Sequence, residues 1–323
     1  MSSRDYFAKQ QRGFSLVEIM VALVIGMIVT IVITQVMSFY GSQKRTTSGT
    51  SDAQTSGTLA LYSIQREVQQ AGYGLPLFDT VNPPLKCNLA DIAMATVVTG
   101  ATSDTVTVRY GDSAVAGTPV PLLVGSLGNA AIVDTSIGCK VGDDVLVTRG
   151  ALCNLTRVTG VAASSVTLAG ASTNVDAGSS LSCLGRWRTV QFSVVANQLV
   201  RTESAPGVAP VAAPIGSEVV VIKAQYGLSV TANGSATDNV VALWTSAAPA
   251  DRNQIKAIRV AVVARSGLLE KNVVTNVAPV AWNAPGAPVI NLTADPNWQR
   301  YRYRVFETII PLRNMVWSKE TLK

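Results

Sequence analysis

The chain has 323 residues, which is enough for one large or two modest domains with a hydrophobic core. It contains no histidine, and this excludes Ser-His and Cys-His catalysis and most zinc chemistry. Charged residues make up 14% against 48% hydrophobic residues, and the formal net charge of +6 comes from lysines and arginines scattered along the chain. We therefore expect neither an enzyme, nor a cofactor or metal site, nor a nucleic-acid groove.

The N-terminal part of the chain combines a basic leader, a Gly-Phe junction and a long apolar run. The leader cations are Arg4, Lys9 and Arg12, and the apolar run extends over residues 14–33. An ordinary secretory signal ends in a small-residue cleavage site beyond its apolar core, whereas residues 34–40 offer no such site. The sequence therefore predicts that the apolar run stays on the mature protein as a transmembrane helix over residues 14–34.

Glu18 places a carboxylate inside this otherwise uncharged span. A carboxylate in hydrocarbon costs on the order of a few kcal/mol, so an acid at this position indicates a functional site with a partner. The run Arg12-Gly13-Phe14-Ser15-Leu16-Val17-Glu18 resembles the N-terminus of the type IV prepilin family. The resemblance implies cleavage after Gly13 by a prepilin peptidase, N-methylation of Phe14, and pairing of Glu18 with the N-terminal amine of a neighbouring subunit. The alternative is a plain membrane anchor whose Glu18 reaches the interface.

The charge distribution also predicts the topology. Basic residues ahead of a span favour a cytoplasmic N-terminus, so everything after residue 40 would cross the bacterial inner membrane into the periplasm. For a pilin this implies a single-pass inner-membrane protein that later enters a cell-surface pilus. The leader, residues 1–13, holds three of the 26 basic and one of the 20 acidic side chains, so its removal leaves a net charge of +4.

Residues 35–75 are predicted to continue the helix with an amphipathic second half. The tract 41–57 is rich in Ser, Thr and Gly, which have low helix propensity, so a helix would loosen there first. An apolar stripe follows at helical spacing and ends at Gly72 or Gly74. Its members are Leu61, Ile64, Val68 and Ala71. Residues 59–74 resemble the end of the long helix in the PilW branch of minor pilins and in J-type secretion pseudopilins, with Glu67 where that group has aspartate.

From residue 77 onward, short β-branched runs separated by turn residues predict a β-rich head. The predicted strands cover residues 105–110, 144–148, 165–168, 189–195, 198–202, 218–224, 255–264 and 300–305. A hairpin is predicted at residues 195–198, and residues 170–187 and 203–216 are predicted to be loops. The adjacent acids Asp143 and Asp144 are expected in a solvated turn.

Two segments near the C-terminus add to the resemblance. Residues 305–314, VFETIIPLRN, resemble the closing signature of the PilW family, of the type R-x-F-E-T-x-I-x-L-R-N. Residues 257–266, AIRVAVVARS, resemble a second strand of that family. Between residues 90 and 250 the sequence is similar to the family only in its general pattern of short β-branched runs separated by turn residues.

The four cysteines, Cys87, Cys139, Cys153 and Cys183, lie in the part predicted to face the oxidising periplasm. An even count there predicts two disulfides, and the absence of C-x-x-C spacing argues against a metal or redox centre. Buried free thiols are the alternative. Of the three possible pairings, we expect Cys139–Cys153, whose short loop suits a hairpin, together with Cys87–Cys183.

The sequence thus predicts an α+β, type IV pilin-like fold: a leader at 1–13, a long N-terminal helix whose first half spans the membrane, and a β-rich head over residues 76–323. The predicted function is a minor pilin that takes part in type IV pilus assembly, in the shaft or at the tip of the fibre. Its expected partners are other pilins, the prepilin peptidase and methylase, the inner-membrane assembly platform and, before assembly, lipid. The alternatives are a minor pseudopilin of type II secretion and a pilin with an adhesive head.

Overall fold

A computed structural model of the chain describes residues 13–75, 86–87, 90–127, 129–150, 152–170, 177–230, 240–249, 254–284 and 286–316. The leader cations lie outside these ranges. The chain divides into two compact units, residues 1–49 and residues 50–323. One helix of the described chain is long and apolar enough to span a membrane, with a mean hydropathy of 2.9 over its most apolar 18 residues.

The described elements are one long helix, seventeen strands and a short C-terminal helix. The helices are α1 Leu16–Gln70 and α2 Arg313–Val316, and a 3-10 turn covers Trp298–Arg300. The first strands are β1 Lys86–Cys87, β2 Ala90–Asp91, β3 Ala95–Val98, β4 Thr105–Tyr110, β5 Val120–Leu127, β6 Ala130–Val133, β7 Asp144–Arg149, β8 Leu152–Ala162 and β9 Ser165–Leu168. The others are β10 Ser180–Gly185, β11 Arg188–Val195, β12 Gln198–Ala205, β13 Val208–Ser217, β14 Val219–Leu228, β15 Leu243–Thr245, β16 Ile255–Arg265 and β17 Tyr303–Pro311.

Helix α1 continues without a break through the Ser/Thr/Gly tract at residues 41–57. The hydroxyls of Thr47, Thr55 and Thr58 each donate to the carbonyl four residues earlier, at 3.0, 3.1 and 2.8 Å. The three hydroxyls are therefore hydrogen-bonded within the helix and do not favour a non-helical backbone. From residue 53 onward one face also packs on the head, and tertiary packing of this kind outweighs low intrinsic propensity.

The predicted end of the amphipathic stripe is confirmed. Ile64, Val68 and Ala71 are fully buried, and the helix ends at Gln70. Gly72 follows with φ +78°, a left-handed conformation that glycine adopts without steric cost. The Gly72 N–H donates to the Arg109 carbonyl at 2.8 Å, so the segment that follows the helix is hydrogen-bonded to β4.

The helix stripe packs between two antiparallel sheets of the head. One sheet has the order β13-β12-β11-β4-β3 and the other β15-β14-β16-β17. Their buried side chains form a single core with the helix stripe, including Phe192 of β11 and Tyr226 of β14. All eleven residues of β16 are buried, because its other face is covered by Ala281, Ile290 and Leu292 from the segment after it.

A closed six-stranded barrel, β10-β5-β6-β9-β8-β7, is inserted between β4 and β11 and has a core of its own. The prediction of loops at residues 170–187 and 203–216 is wrong for the described residues, since β10 and most of β13 lie there. β10 closes the barrel by pairing with both β5 and β7. β13 is an edge strand, where Pro210 and Pro214 are tolerated because one side of the ladder is unpaired.

The hairpin predicted at residues 195–198 is confirmed. β11 and β12 pair from Val195↔Gln198 onward, and the turn residues Ala196 and Asn197 have φ of 49° and 59°. Two left-handed residues are what a two-residue type I′ turn requires. The strand predicted at residues 300–305 starts later, at Tyr303, because Trp298–Arg300 forms the 3-10 turn.

Gly57 generates a testable prediction about how the helix meets the head. A Cβ at this position would overlap the ring of Phe306 on β17. We therefore expect Gly57→Ala to destabilise the protein by about 1–3 kcal/mol through overpacking, measured as a lower melting temperature of the full chain in detergent. Adding Phe306→Leu should restore part of the loss.

Gly41→Ala is the matched control, since nothing lies within 4 Å of a Cβ at that helical glycine. It should leave the melting temperature unchanged or raise it, because alanine has the higher helix propensity. Equal melting temperatures for wild type and Gly57→Ala would contradict the described contact.

Candidate functional site: the N-terminal segment and the helix junction

The N-terminal segment begins the long helix with a capping interaction that uses Glu18. The Ser15 N–H donates to Oε2 of Glu18 at 3.0 Å, and the Ile19 N–H donates to the Ser15 carbonyl at 3.2 Å. Serine followed three residues later by glutamate is the spacing of a capping box. Glu18 therefore satisfies an otherwise free backbone N–H at the positive end of the helix dipole. A second carboxylate oxygen can still accept from a cation.

The surface of the first half of α1 suits an apolar environment. Every described side chain of residues 14–41 is exposed within the protein, and most are large and apolar. The hydroxyls of Thr30 and Thr34 donate to the carbonyls of Gly26 and Ile31 at 2.7 and 2.8 Å. These polar groups are thus paired inside the helix, which is the condition for a segment that lies in hydrocarbon. Gly13 and Phe14 are also exposed, so the predicted cleavage junction is accessible.

The closing signature at residues 305–314 meets the end of α1. Asn314 donates from Nδ2 to the carbonyls of Gln70 and Ala71, at 3.3 and 3.1 Å. The last carbonyls of a helix have no partner within the helix, so Asn314 caps α1 from the far end of the chain. Phe306, which belongs to the same signature, packs on α1 at Gly57. Residues 59–74 and residues 305–314, which both resemble the PilW family in sequence, therefore form one junction.

Glu67 is the acidic residue of this junction. Its carboxylate accepts from the Tyr110 hydroxyl at 2.7 Å, and it pairs with Arg201 at 2.9 Å. Burial raises the pKa of Tyr110, and the hydrogen bond to the Glu67 carboxylate raises it further. Tyr110 and Arg201, both on strands of the five-stranded sheet, thus bind Glu67, the residue at which the PilW resemblance leads one to expect aspartate.

Charge alternates outward from Glu67 in a continuous chain of ion pairs. Arg201 also pairs with Glu203 at 2.8 Å, and Arg188 pairs with Glu203 at 3.1 Å and with Asp112 at 3.2 Å. Burial on its own would raise the pKa of Asp112, but hydrogen bonds from the Arg186 N–H and from Arg188 hold it below its usual value. Burial lowers the pKa of Arg201, but its hydrogen bonds to Glu203 and Glu67 outweigh that effect and raise it.

Two arginines of the strand at residues 257–266 fix the segment that covers the second sheet. The guanidinium of Arg259 lies 4.9 Å from the ring of Trp244 and 4.5 Å from that of Trp282. Arg265 pairs with Glu218 at 2.8 Å and with Asp295 at 2.7 Å. The cation–π contact with Trp282 and the charge-assisted hydrogen bond to Asp295 hold the covering segment against the sheet.

Asp144 is buried, so its prediction as part of a solvated turn is wrong. It begins β7, pairs with Arg157 at 3.1 Å and accepts from the Trp187 N–H at 3.0 Å. Asp143 does lie in a turn, where it accepts from the Lys140 N–H at 2.8 Å. Within the described ranges, no group of three or more His, Cys, Asp or Glu residues is placed to hold a metal ion.

The prediction of two disulfides is confirmed, but the expected pairing is wrong. The bonds are Cys87–Cys153 and Cys139–Cys183. Cys183 belongs to the barrel interior, with Cys139 packed against it, whereas Cys153 lies in a separate cluster with Cys87 and Trp187. Cys153 and Cys139 are near in sequence but lie in different buried clusters, so each pairs with the cysteine of its own cluster.

Two separate segments of the chain match known protein families. The model of the Type IV Pilus-assembly protein W family, PilW, matches residues 188–314. The prokaryotic N-terminal methylation motif matches residues 8–34. No protein of curated function matches the chain. Among solved structures, a type IV-like pilin from Thermus thermophilus is similar with a TM-score of 0.38 and 12% identity, over 80% of this chain and 95% of that chain.

A long N-terminal helix that carries the methylation motif, followed by a β-rich head, is a type IV pilin-like fold. Residues 188–314 match the PilW family model. That match starts at the first residue of β11 and ends at Asn314, so it extends N-terminally beyond the resemblances at residues 257–266 and 305–314 but does not include residues 59–74. The barrel lies outside both matched segments.

The disulfide pairing predicts the fate of single cysteine variants. Cys139→Ser should free Cys183, and Cys87→Ser should free Cys153. Each loss should cost about 2–4 kcal/mol of stability, because a cross-link restricts the unfolded chain. Alkylation of non-reduced protein followed by peptide mass spectrometry identifies the freed thiol. Alkylation of Cys153 in Cys139→Ser would support the pairing expected from sequence and contradict the structure.

Proposed function

We propose that the chain is a minor pilin of the type IV pilus that is made as a prepilin, cleaved after Gly13 and N-methylated on Phe14. The observation that carries the proposal is the methylation motif at residues 8–34, with Glu18 in the first turn of an exposed apolar helix. Its role is structural rather than catalytic. The protein is anchored in the inner membrane with its head in the periplasm, and it then enters the fibre, in the shaft or at the tip.

The proposed assembly step uses the helix twice. In lipid, the exposed apolar side chains of residues 14–41 are solvated by acyl chains. In the fibre, the same side chains pack against other pilin helices, delivered by the assembly platform. Cleavage converts the backbone nitrogen of Phe14 into an amine, which would be a cation among apolar helices. Glu18 of an adjacent subunit supplies the opposite charge, since its carboxylate has an oxygen beyond the one that caps Ser15.

The processing step gives the first prediction of this proposal. The small residue before the cut must fit the peptidase subsite, so Gly13→Leu should accumulate as the uncleaved, membrane-bound form. Mass spectrometry of the membrane fraction should find a methylated Phe14 at the N-terminus of the wild type. A mature N-terminus downstream of residue 33 would refute the pilin assignment of this segment.

Glu18 variants separate its two roles. Glu18→Gln keeps a side chain that can cap Ser15 but removes the charge, while Glu18→Ala removes both. We expect both variants to reach the membrane at wild-type levels, because losing a carboxylate lowers the cost of insertion. Both should be depleted in sheared fibres by more than tenfold, since an unpaired buried amine costs roughly 3–5 kcal/mol.

The measurement compares membrane abundance with fibre abundance at equal expression. If Glu18→Gln assembles like wild type and Glu18→Ala does not, the carboxylate acts as a helix cap and the docking role is lost. If both assemble normally, Glu18 has no role in assembly.

A further inference from the structure

The outer side of β17 is an open sheet edge. β17 ends the four-stranded sheet and pairs with β16 along its whole length without a register shift. Just beyond one end of this ladder, the Leu312 N–H donates to the Lys256 carbonyl at 2.9 Å. Beyond the other end, the Ser266 N–H donates to the Arg302 carbonyl at 2.8 Å. Backbone groups of an antiparallel strand point to its two neighbours in alternation, so the even-numbered positions of β17 face β16.

The odd-numbered positions of β17 therefore direct their backbone groups outward. The outward N–H groups belong to Tyr303, Val305, Glu307 and Ile309. Within the described part of the chain, no hydrogen bond reaches the backbone groups of these four residues from the outer side. An edge of this kind is a template on which another strand can pair.

The outer edge of β13, by contrast, is protected against strand addition. In the β11–β12 hairpin, Val195 and Gln198 close the two-residue turn as a hydrogen-bonded pair. The alternation then points Ala213 towards β12, and it points Ala212 and Pro214 outward. Pro214 has no N–H to donate, and the β12–β13 ladder shifts register near both ends. Prolines and bulges are features by which proteins protect sheet edges, and β17 has neither before its last residue.

Both faces of β17 are packed, and this holds the edge in an extended conformation. On one face, Phe306 packs on α1 at Gly57. On the other face, Val305 packs against the buried cluster that covers β16. The edge is therefore preformed, which lowers the entropic cost of pairing with it.

The exposed side chains of β17 indicate what a paired strand would carry. Arg304 and Glu307 are exposed and lie on opposite faces of the sheet, because they are three residues apart. Arg304 makes no ion pair or hydrogen bond among the described residues. One oxygen of Glu307 accepts from the Trp282 N–H at 2.8 Å, which leaves the other oxygen for a cation. Ile309 is 58% exposed. Since opposite charges directly across a ladder stabilise it, a fitting strand carries an acidic and a basic residue three positions apart.

We propose that the outer edge of β17 binds an extended segment of another protein as an added strand, with an acidic side chain opposite Arg304 and a basic side chain opposite Glu307. The free backbone groups supply the hydrogen bonds, and the side chains select the partner. A second copy of β17 lacks this complementarity. In an antiparallel ladder outward residues pair only with outward residues, so Arg304 of one copy never lies opposite Glu307 of the other. The inference concerns the head alone and does not rest on cleavage or on entry into a fibre.

Site-specific crosslinking in intact cells tests which chain lies on this edge. A photo-reactive phenylalanine analogue replaces Ile309 in the full chain. The matched control places the analogue at Ala212, an exposed outward residue on the protected edge of β13. Irradiation should give an adduct from position 309 to another protein, and mass spectrometry should place it in a peptide with an acidic and a basic residue three positions apart.

The other outcomes of this experiment contradict the proposal. An adduct to a second copy of the chain, to residues 317–323 of the same chain, to lipid, or to a peptide without that charge spacing would overturn the choice of partner. The absence of any adduct at position 309 above the Ala212 control would overturn the proposal as a whole.

Substitutions on the edge separate backbone pairing from side-chain recognition. Val305→Pro removes one outward N–H and leaves the hydrogen bonds to β16 in place, while Arg304→Glu reverses an exposed charge. Each should lower the adduct yield at position 309 about tenfold, whereas Arg304→Lys should keep it. Ala212→Pro, on the protected edge, is the control for proline and should leave the yield unchanged.

The melting temperature of each variant in detergent reports whether the head is folded. If Val305→Pro lowers it, Arg304→Glu decides, because its side chain is exposed and makes no described contact that folding requires. A wild-type adduct yield in Arg304→Glu, or in a folded Val305→Pro, would overturn the proposal.

Discussion

Burial of one stripe of α1 in the head is the interaction on which the rest of the structure depends. Ala60, Ile64 and Val68 are fully buried, and they contribute to a core shared by both sheets. Burying a side chain such as Ile64 or Val68 stabilises a protein by about 1.5–3 kcal/mol. Because the same stripe serves both sheets, losing it would expose the inner faces of each. The absence of a side chain at Gly57 is part of this fit, since Phe306 occupies the space.

Polar interactions around the stripe fix its position along the sheets. Asn314 caps the helix end, and Glu67 joins it to Tyr110 and Arg201. Deeper in the head, Asp104 and Lys223 form a buried ion pair at 3.0 Å, and the second carboxylate oxygen accepts from the Ala224 N–H at 3.0 Å. Removing one member of such a pair costs roughly 3–5 kcal/mol, because the other is left charged and buried. Apolar burial supplies the stability, and these groups set the register.

The two compact units meet different physical demands. In residues 14–41 most of the exposed side chains are apolar and the hydroxyls of Thr30 and Thr34 are paired within the helix, so contact with lipid or with other helices costs these hydroxyls no hydrogen bonds. In the head, apolar side chains form buried cores, and the disulfides Cys87–Cys153 and Cys139–Cys183 add cross-links. The barrel also lies outside the segments that the family models match, and it has a core of its own.

Local periodicity allowed the sequence to determine much of this protein. The 3.6-residue stripe to Ala71, the hairpin at residues 195–198 and the β-branched strands are encoded within short segments, and so is the motif around Glu18. The tertiary structure alone decided which distant segments meet. The pairing of Cys153 with Cys87 and the capping of α1 by Asn314 join residues 66 and 244 positions apart. The burial of Asp144 depends on which side of a strand faces a core. Pattern and composition describe a residue's neighbours along the chain, whereas these contacts are set by sheet order and barrel closure. Small-residue strands such as β10 and β13 were missed for the same reason, because their pairing partners, and not their own composition, make them strands.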